Sequence, residues 1–142
     1  MTRILIVDDD VDILDLLRLE FEEDGCSTDT TPDAKIALDL ARRHAYDLII
    51  TDWRMPVMNG TEFVGSLRRQ GCRSCIIIYS GMDRDQGIQD ALDAGADYFI
   101  SRRGDPFREF AGLKEIIGRC SLAGTTGDRK APANPVREDT AR

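Results

Sequence analysis

Three short apolar runs punctuate the chain, at positions 4–7, 48–50 (with Thr51 following) and 76–79. Each is bounded by polar or turn residues and is too short for a helix, so each reads as a buried strand. Continuous rather than alternating apolarity points to strands covered on both faces, as in a parallel sheet. Positions 27–30 and 98–101 are weaker strand candidates; the first alternates poorly and suits a sheet edge. Helical periodicity fills the intervals. Val11, Leu14, Leu17 and Phe21 share one face, with Gly25 placed to end that helix. Thr31-Pro32-Asp33 reads as an N-cap followed by proline at the first helical position, opening a helix to about Arg43 with Ala34, Ala37, Leu38 and Ala41 inward. A third helix covers 62–70 with Phe63, Val64 and Leu67 buried, ending at Gly71. Asp83 and Gln86 fit a capping box for a fourth, closed by Gly95. Asp105-Pro106 opens a fifth, carrying Phe110, Leu113 and Ile117.

The order is strand then helix, five times. Such alternation predicts a parallel sheet between helical layers with right-handed crossovers. From about Gly124 the sequence turns small, polar and proline-containing, and it cannot bury enough apolar surface to offset its ordering entropy. Residues 1–122 are therefore expected to form one domain, and 123–142 a disordered tail or linker.

In an open parallel sheet, ligands bind beyond the carboxyl ends of the strands. There the sequence places Asp8, Asp9 and Asp10 after the first run, Asp52 after the third strand, Ser80 after the fourth, and Arg102 and Arg103 after the fifth. Crowded carboxylates repel by roughly 4 kcal/mol per pair at ~4 Å in an effective dielectric near 20. One must hold a proton or a cation must sit among them. Hard oxygen donors without nearby His or Cys favour magnesium, which also bridges to phosphate. Asp52 then reads as a metal ligand, a nucleophile toward a phosphoryl donor, or both. The plainer reading is that an acid after a strand caps the next helix, which Asp9 or Asp10 could do.

The run Ile4-Leu5-Ile6-Val7-Asp8-Asp9-Asp10 looks like the opening of response-regulator receivers, and the segment from Asp47 through Asp52 to Gly60 resembles their phosphorylation segment closely. Ile76 to Ser80 resembles their switch strand, and Gly95-Ala96-Asp97-Tyr98-Phe99-Ile100 their approach to the fifth strand. The resemblance runs from about Thr2 to Cys120. It implies a flavodoxin-like (βα)5 fold, a five-stranded parallel sheet of order 2-1-3-4-5 between helical layers. It makes Asp52 the phosphoacceptor, with Mg2+ held by Asp8, Asp9, Asp52 and the backbone carbonyl of Arg54. Ser80 takes the role of the switch hydroxyl and Phe99 that of the rotating aromatic. The implied function is phosphorelay signal transduction. A sensor histidine kinase is the donor, an unidentified downstream protein the target, and the chain is a monomer or a phosphorylation-dependent dimer. It is a signalling switch rather than an enzyme. One departure stands out: where the family has Lys-Pro after the fifth strand, this chain has Arg102-Arg103. Arginine is a forked, bulkier cation and no neutral replacement, and a cis bond there is not expected without proline.

Composition narrows the alternatives. A formal net charge of -7 disfavours nucleic acid and anionic membrane, and no apolar run approaches membrane-spanning length. The four cysteines are scattered with no secretory segment before them, which suggests a cytoplasmic chain with free thiols. Cys72-Arg73-Ser74-Cys75 lacks two further zinc ligands and the helix start that redox pairs use. His44 suits a helix C-terminus, and Trp53 reads as a partly exposed loop residue. Two other functions are carried forward. Asp8-Asp9-Asp10 also fits the Asp-x-Asp of haloacid-dehalogenase-type phosphohydrolases, with Asp8 as nucleophile, although the chain is short for the cap and later acidic motif they need. Arg102-Arg103 would also suit a receiver-like interaction module no longer switched by phosphate.

Overall fold

A computed structural model describes residues 1–81 and 84–123, the side chains of 84–88 and 120–123 excepted. Five strands, β1 (Arg3–Val7), β2 (Ser27–Thr31), β3 (Leu48–Thr51), β4 (Cys75–Ser80) and β5 (Tyr98–Ser101), alternate with five helices. These are α1 (Val11–Glu23), α2 (Ala34–Arg43), α3 (Gly60–Arg69), α4 (Arg84–Ala94) and α5 (Pro106–Ala123). All strand pairings are parallel, in the order β2-β1-β3-β4-β5 expected of a flavodoxin-like sheet.

The three apolar runs are the three central strands, and almost none of their surface meets solvent. Each side of the sheet buries alternate residues under its own helices. Leu5, Ile49, Ile76, Ile78 and Phe99 pack against α2, α3 and α4 through Ala37, Phe63, Leu67 and Ala91. Ile4, Ile6, Ile50, Ile77 and Tyr79 pack against α1 and α5 through Leu14, Leu17, Phe21 and Leu113. β2 is the polar edge, Ser-Thr-Asp-Thr-Thr, aligned by its ladder with β1. The α3–β5 corner is fastened by Arg68, whose guanidinium donates to the carbonyls of Cys72, Ser74 and Gly95 and to Asp97 Oδ2 at 2.8–3.1 Å.

Several local expectations shift. The N-cap of α2 is Asp33, whose side chain accepts from Lys35 N at 2.8 Å, not Thr31. Thr31 instead ends β2 and accepts from Asp33 N at 3.1 Å through its hydroxyl, so Pro32 lies before the helix. Helix α3 starts two residues early, behind a full capping box in which Asn59 and Glu62 exchange bonds. Val11 does not join the buried face of α1: it is the first helical residue, beyond the strand ends, and is exposed. Cys75 is disulfide-bonded, whereas Cys26 and Cys72 are free, so the expectation of free thiols fails at Cys75. Sequence spacing says nothing about which thiols the fold brings together. His44 does cap α2 and Gly25, Gly71 and Gly95 follow their helices with positive φ. The proposed Asp83 cap and the tail beyond Ala123 lie outside the described residues. Among the described residues no helix is long and apolar enough to cross a membrane.

Candidate functional site

The strand order reverses between β1 and β3, and the crevice at such a switch point is where open α/β sheets bind ligands. β1 delivers Asp8 and Asp9 to that crevice, and β3 delivers Asp52. One carboxylate oxygen from each of the three lies within 4.8 Å of the other two. Asp8 and Asp52 are buried and Asp9 is exposed. Asp10 does not join them; its side chain accepts from Asp12 N at 3.0 Å and caps α1. The capping reading thus holds for Asp10 and leaves Asp9 free of that duty.

Each buried acid has one oxygen fixed by backbone. Asp8 Oδ1 accepts from Asp10 N at 2.9 Å, and Asp52 Oδ1 accepts from Trp53 N at 2.7 Å. Burial pushes the Asp8 carboxyl up from 3.8 to about 6; the Asp10 amide and Arg102 pull against this, and Asp52 adds to it. A divalent cation would reverse that balance. The donor set fits a hard ion of this kind: three carboxylates, two of them desolvated, with an exposed rim for water. An open groove of about 610 Å3 adjoins this rim, lined by Asp9, Trp53, Arg54, Met55, Pro56, Asn59, Thr61 and Asp90. The Arg54 side chain is exposed along it.

Trp53 corrects its sequence reading. It is buried, because its indole lies flat against the start of α3, where Gly60 leaves room for it. A Cβ at Gly60 would fall 2.2 Å from Trp53 Cε3, and Gly60 N donates to Trp53 O at 2.7 Å. The peptide that holds Asp52 is thereby clamped to α3.

Ser80 ends β4, fully buried, on the side of the sheet shared by Ile78 and Phe99. Phe99 is packed inward in that core. Tyr79, one residue before Ser80, faces the α1/α5 side instead.

Arg102 turns inward. Its Nη2 donates to Asp8 Oδ2 at 2.6 Å and to the Tyr79 carbonyl at 2.9 Å, and its guanidinium lies 4.6 Å from the centre of the Tyr79 ring. Its ion-pair partner is Asp8. The Arg102 Nε is buried without a hydrogen-bond partner. The following turn has no cis peptide. It is organised by Glu109 of α5, which sequence reasoning passed over. The buried Glu109 carboxylate accepts from Tyr79 Oη at 2.6 Å, Arg103 N at 2.6 Å and Asp105 N at 3.3 Å.

Residues 4–109 match the family model described as the response regulator receiver domain. Response regulator ArlR of Staphylococcus aureus is 36% identical over 119 residues, which are 84% of this chain and 54% of ArlR. The chain thus spans about half the length of the curated relatives it matches. Among solved structures, response regulator protein TrrA of Thermotoga maritima, in complex with Mg(2+)-BeF, is 31% identical with a TM-score of 0.73, over 84% of this chain and 99% of that one. A CheY-like response regulator receiver domain protein of Methanospirillum hungatei is 27% identical with a TM-score of 0.78, over 87% and 99%.

Proposed function

This chain belongs to the response regulator receiver family, whose members carry two-component phosphorelay signals, and we propose that it does so by accepting a phosphoryl group on Asp52. The observation that carries this reading is the convergence of the Asp8, Asp9 and Asp52 oxygens within 4.8 Å at the switch point of the sheet. Asp52 Oδ1 is held by the Trp53 amide, which leaves Oδ2 as the attacking oxygen. As the new P–O bond forms, the P–N bond of a donor phosphohistidine breaks. The electron pair returns to the imidazole nitrogen, which takes a proton from solvent. Magnesium, held by Asp8, Asp9, Asp52 and the Arg54 carbonyl, would neutralise charge on the transferred group. Ser80 supplies a hydroxyl to a phosphoryl oxygen from the end of β4, and Phe99, on the same side, repacks in response. Arg102, at the position where the resemblance puts the family's lysine, supplies a permanent positive charge to the site.

On this reading the donor is a sensor histidine kinase, and the new charge of nearly -2 switches a surface for a downstream protein. The chain works in the cytoplasm as a signalling switch, monomeric or dimerising on phosphorylation. Residues 1–122 are the receiver unit, and 123–142 a tail or linker. Neither nucleic acid nor membrane is a partner of this unit.

Intact-mass spectrometry after incubation with acetyl phosphate and magnesium tests the assignment. A labile gain of one phosphoryl group is expected in wild type and lost in Asp52→Asn and with chelator. Labelling that survives Asp52→Asn would overturn Asp52 and favour Asp8 as nucleophile. The Arg102–Asp8 ion pair favours a second reading, a receiver-like module without phosphotransfer; absence of labelling by both acetyl phosphate and a cognate kinase would select it.

A further inference from the structure

The contacts of Arg102 do not stop at the acid site. Its guanidinium joins Asp8 to the carbonyl and ring face of Tyr79. The hydroxyl at the other end of that ring donates to Glu109, and the second oxygen of Glu109 holds the amides of Arg103 and Asp105. The path therefore runs from an acid at the switch point, through a buried aromatic, to the turn between β5 and α5. It lies on the α1/α5 side of the sheet, opposite the side that carries Ser80 and Phe99.

We propose that Tyr79 and Glu109 are positioning residues that tie the charge state of the acid site to the β5–α5 turn. The proposal rests on the metal and phosphoryl reading of Asp8, Asp9 and Asp52. Two features of the geometry drive it. A divalent ion on Asp8 competes with Arg102 for Oδ2, the oxygen that the guanidinium now contacts at 2.6 Å. The guanidinium in turn has an unmet N–H in its present pose, so it has a donor to gain by moving. Once it moves, the Tyr79 ring loses its cation and the Tyr79 carbonyl loses a donor. Tyr79 is fixed at its far end by a single bond, to a carboxylate that also sets two backbone amides, so a change in ring position is felt at the turn.

The test is a magnesium titration of the full 15N-labelled chain, read at both ends of the path. Trp53, the only tryptophan, reports the acid site by fluorescence; the backbone amides of Asp105 and Glu109 report the turn by NMR. In wild type both are expected to move with one midpoint. Tyr79→Phe keeps the ring beneath the Arg102 guanidinium but removes the hydroxyl. It should bind magnesium within about twofold of wild type, while the Asp105 and Glu109 shifts fall by more than half. Glu109→Gln, which turns one acceptor oxygen into a donor, should uncouple the turn in the same way. Arg102→Gln removes the competing cation and should tighten magnesium binding by about tenfold, the scale of one charge-assisted hydrogen bond. Full-size amide shifts in Tyr79→Phe, or static amides in wild type while Trp53 titrates, would overturn the coupling and leave the metal site standing. No magnesium binding by fluorescence or calorimetry in wild type and Arg102→Gln alike would overturn the metal reading itself, and the coupling with it.

Discussion

Gly60→Ala is a substitution that helix propensity alone would favour. Alanine is better than glycine within a helix by about 1 kcal/mol, and Gly60 is a helical residue with no positive φ to protect. The contact with Trp53 reverses the sign. A Cβ at this position meets Trp53 Cε3 at 2.2 Å, Cδ2 at 2.5 Å and Cζ3 at 2.8 Å, all inside the closest approach carbon atoms tolerate. Neither side has slack. The indole is buried, Gly60 N is bonded to Trp53 O at 2.7 Å, and Trp53 N is bonded to Asp52 Oδ1 at 2.7 Å. Overpacking of this kind costs about 1–3 kcal/mol, so with the propensity gain set against it a net loss of roughly 2 kcal/mol at most is expected. The indole cannot retreat without carrying the peptide that holds Asp52, and magnesium affinity should weaken as well. Urea unfolding followed by far-UV circular dichroism, on wild type, Gly60→Ala, Trp53→Ala and the double variant, measures the contact. Trp53→Ala alone should cost about 3–5 kcal/mol. In that background Gly60→Ala should become neutral or stabilising by up to ~1 kcal/mol, giving a coupling between the two positions on the order of 1–3 kcal/mol. An equal cost of Gly60→Ala in both backgrounds would refute the clash as its cause.

Burial lifts the Asp8 carboxyl to about 6 from 3.8 in the unfolded chain, so its contribution to stability is fully present below the unfolded value and is lost as pH rises through about 6. With chelator present, wild type should therefore lose up to ~3 kcal/mol relative to Asp8→Asn between about pH 4 and pH 7, by urea unfolding; a flat difference would contradict the burial argument. Arg103→Pro removes the N–H that donates to Glu109 at 2.6 Å. Thermal unfolding should show a loss of about 1–3 kcal/mol, larger than the loss caused by Arg103→Ala, which keeps the amide; equal losses would show that this amide carries no weight.

What was legible in the sequence follows the range of the interactions involved. β1, β3 and β4 are continuous apolar runs, so their burial on both faces could be read locally, and the acids at their ends fell at one sheet edge once the strands were parallel. β2 carries five polar or small residues and is a strand because β1 pairs with it, a cause that lies 24 residues away in register (Arg3 with Ser27). Trp53 sits in a polar loop, and only the glycine seven positions later betrays that a helix start packs on it. The apolar residues of α3 begin at Phe63, inside the helix, whereas its start is marked by the polar capping pair Asn59 and Glu62. Glu109 had no local signal at all. Its neighbours in the helical pattern make it look like a solvated charge, while its partner Tyr79 is 30 residues away. The Arg102–Asp8 pair spans 94 residues, and the sequence left its partner open.

Long-range contacts join the residues at the end of β5 into one unit. One Nη of Arg102 reaches both the Asp8 carboxylate and the Tyr79 carbonyl while the guanidinium lies over the Tyr79 ring, 4.6 Å from its centre. A lysine ammonium offers a compact point charge in place of this forked, planar group. The ring beneath it is anchored by Glu109, and Glu109 accepts from the backbone N–H of Arg103, which a proline there would lack. Arg102, the Arg103 amide, Tyr79 before Ser80 and Glu109 in the first turn of α5 are thus linked through one another's polar groups, with only the Arg102 Nε left over. A buried Glu109 without these donors would be strongly unfavourable. A tyrosine hydroxyl on this face of the sheet would equally be stranded without Glu109. The four positions form one interdependent arrangement at the end of β5, so Arg102→Lys alone would remove the guanidinium from the Tyr79 ring while Glu109 still holds the Arg103 amide.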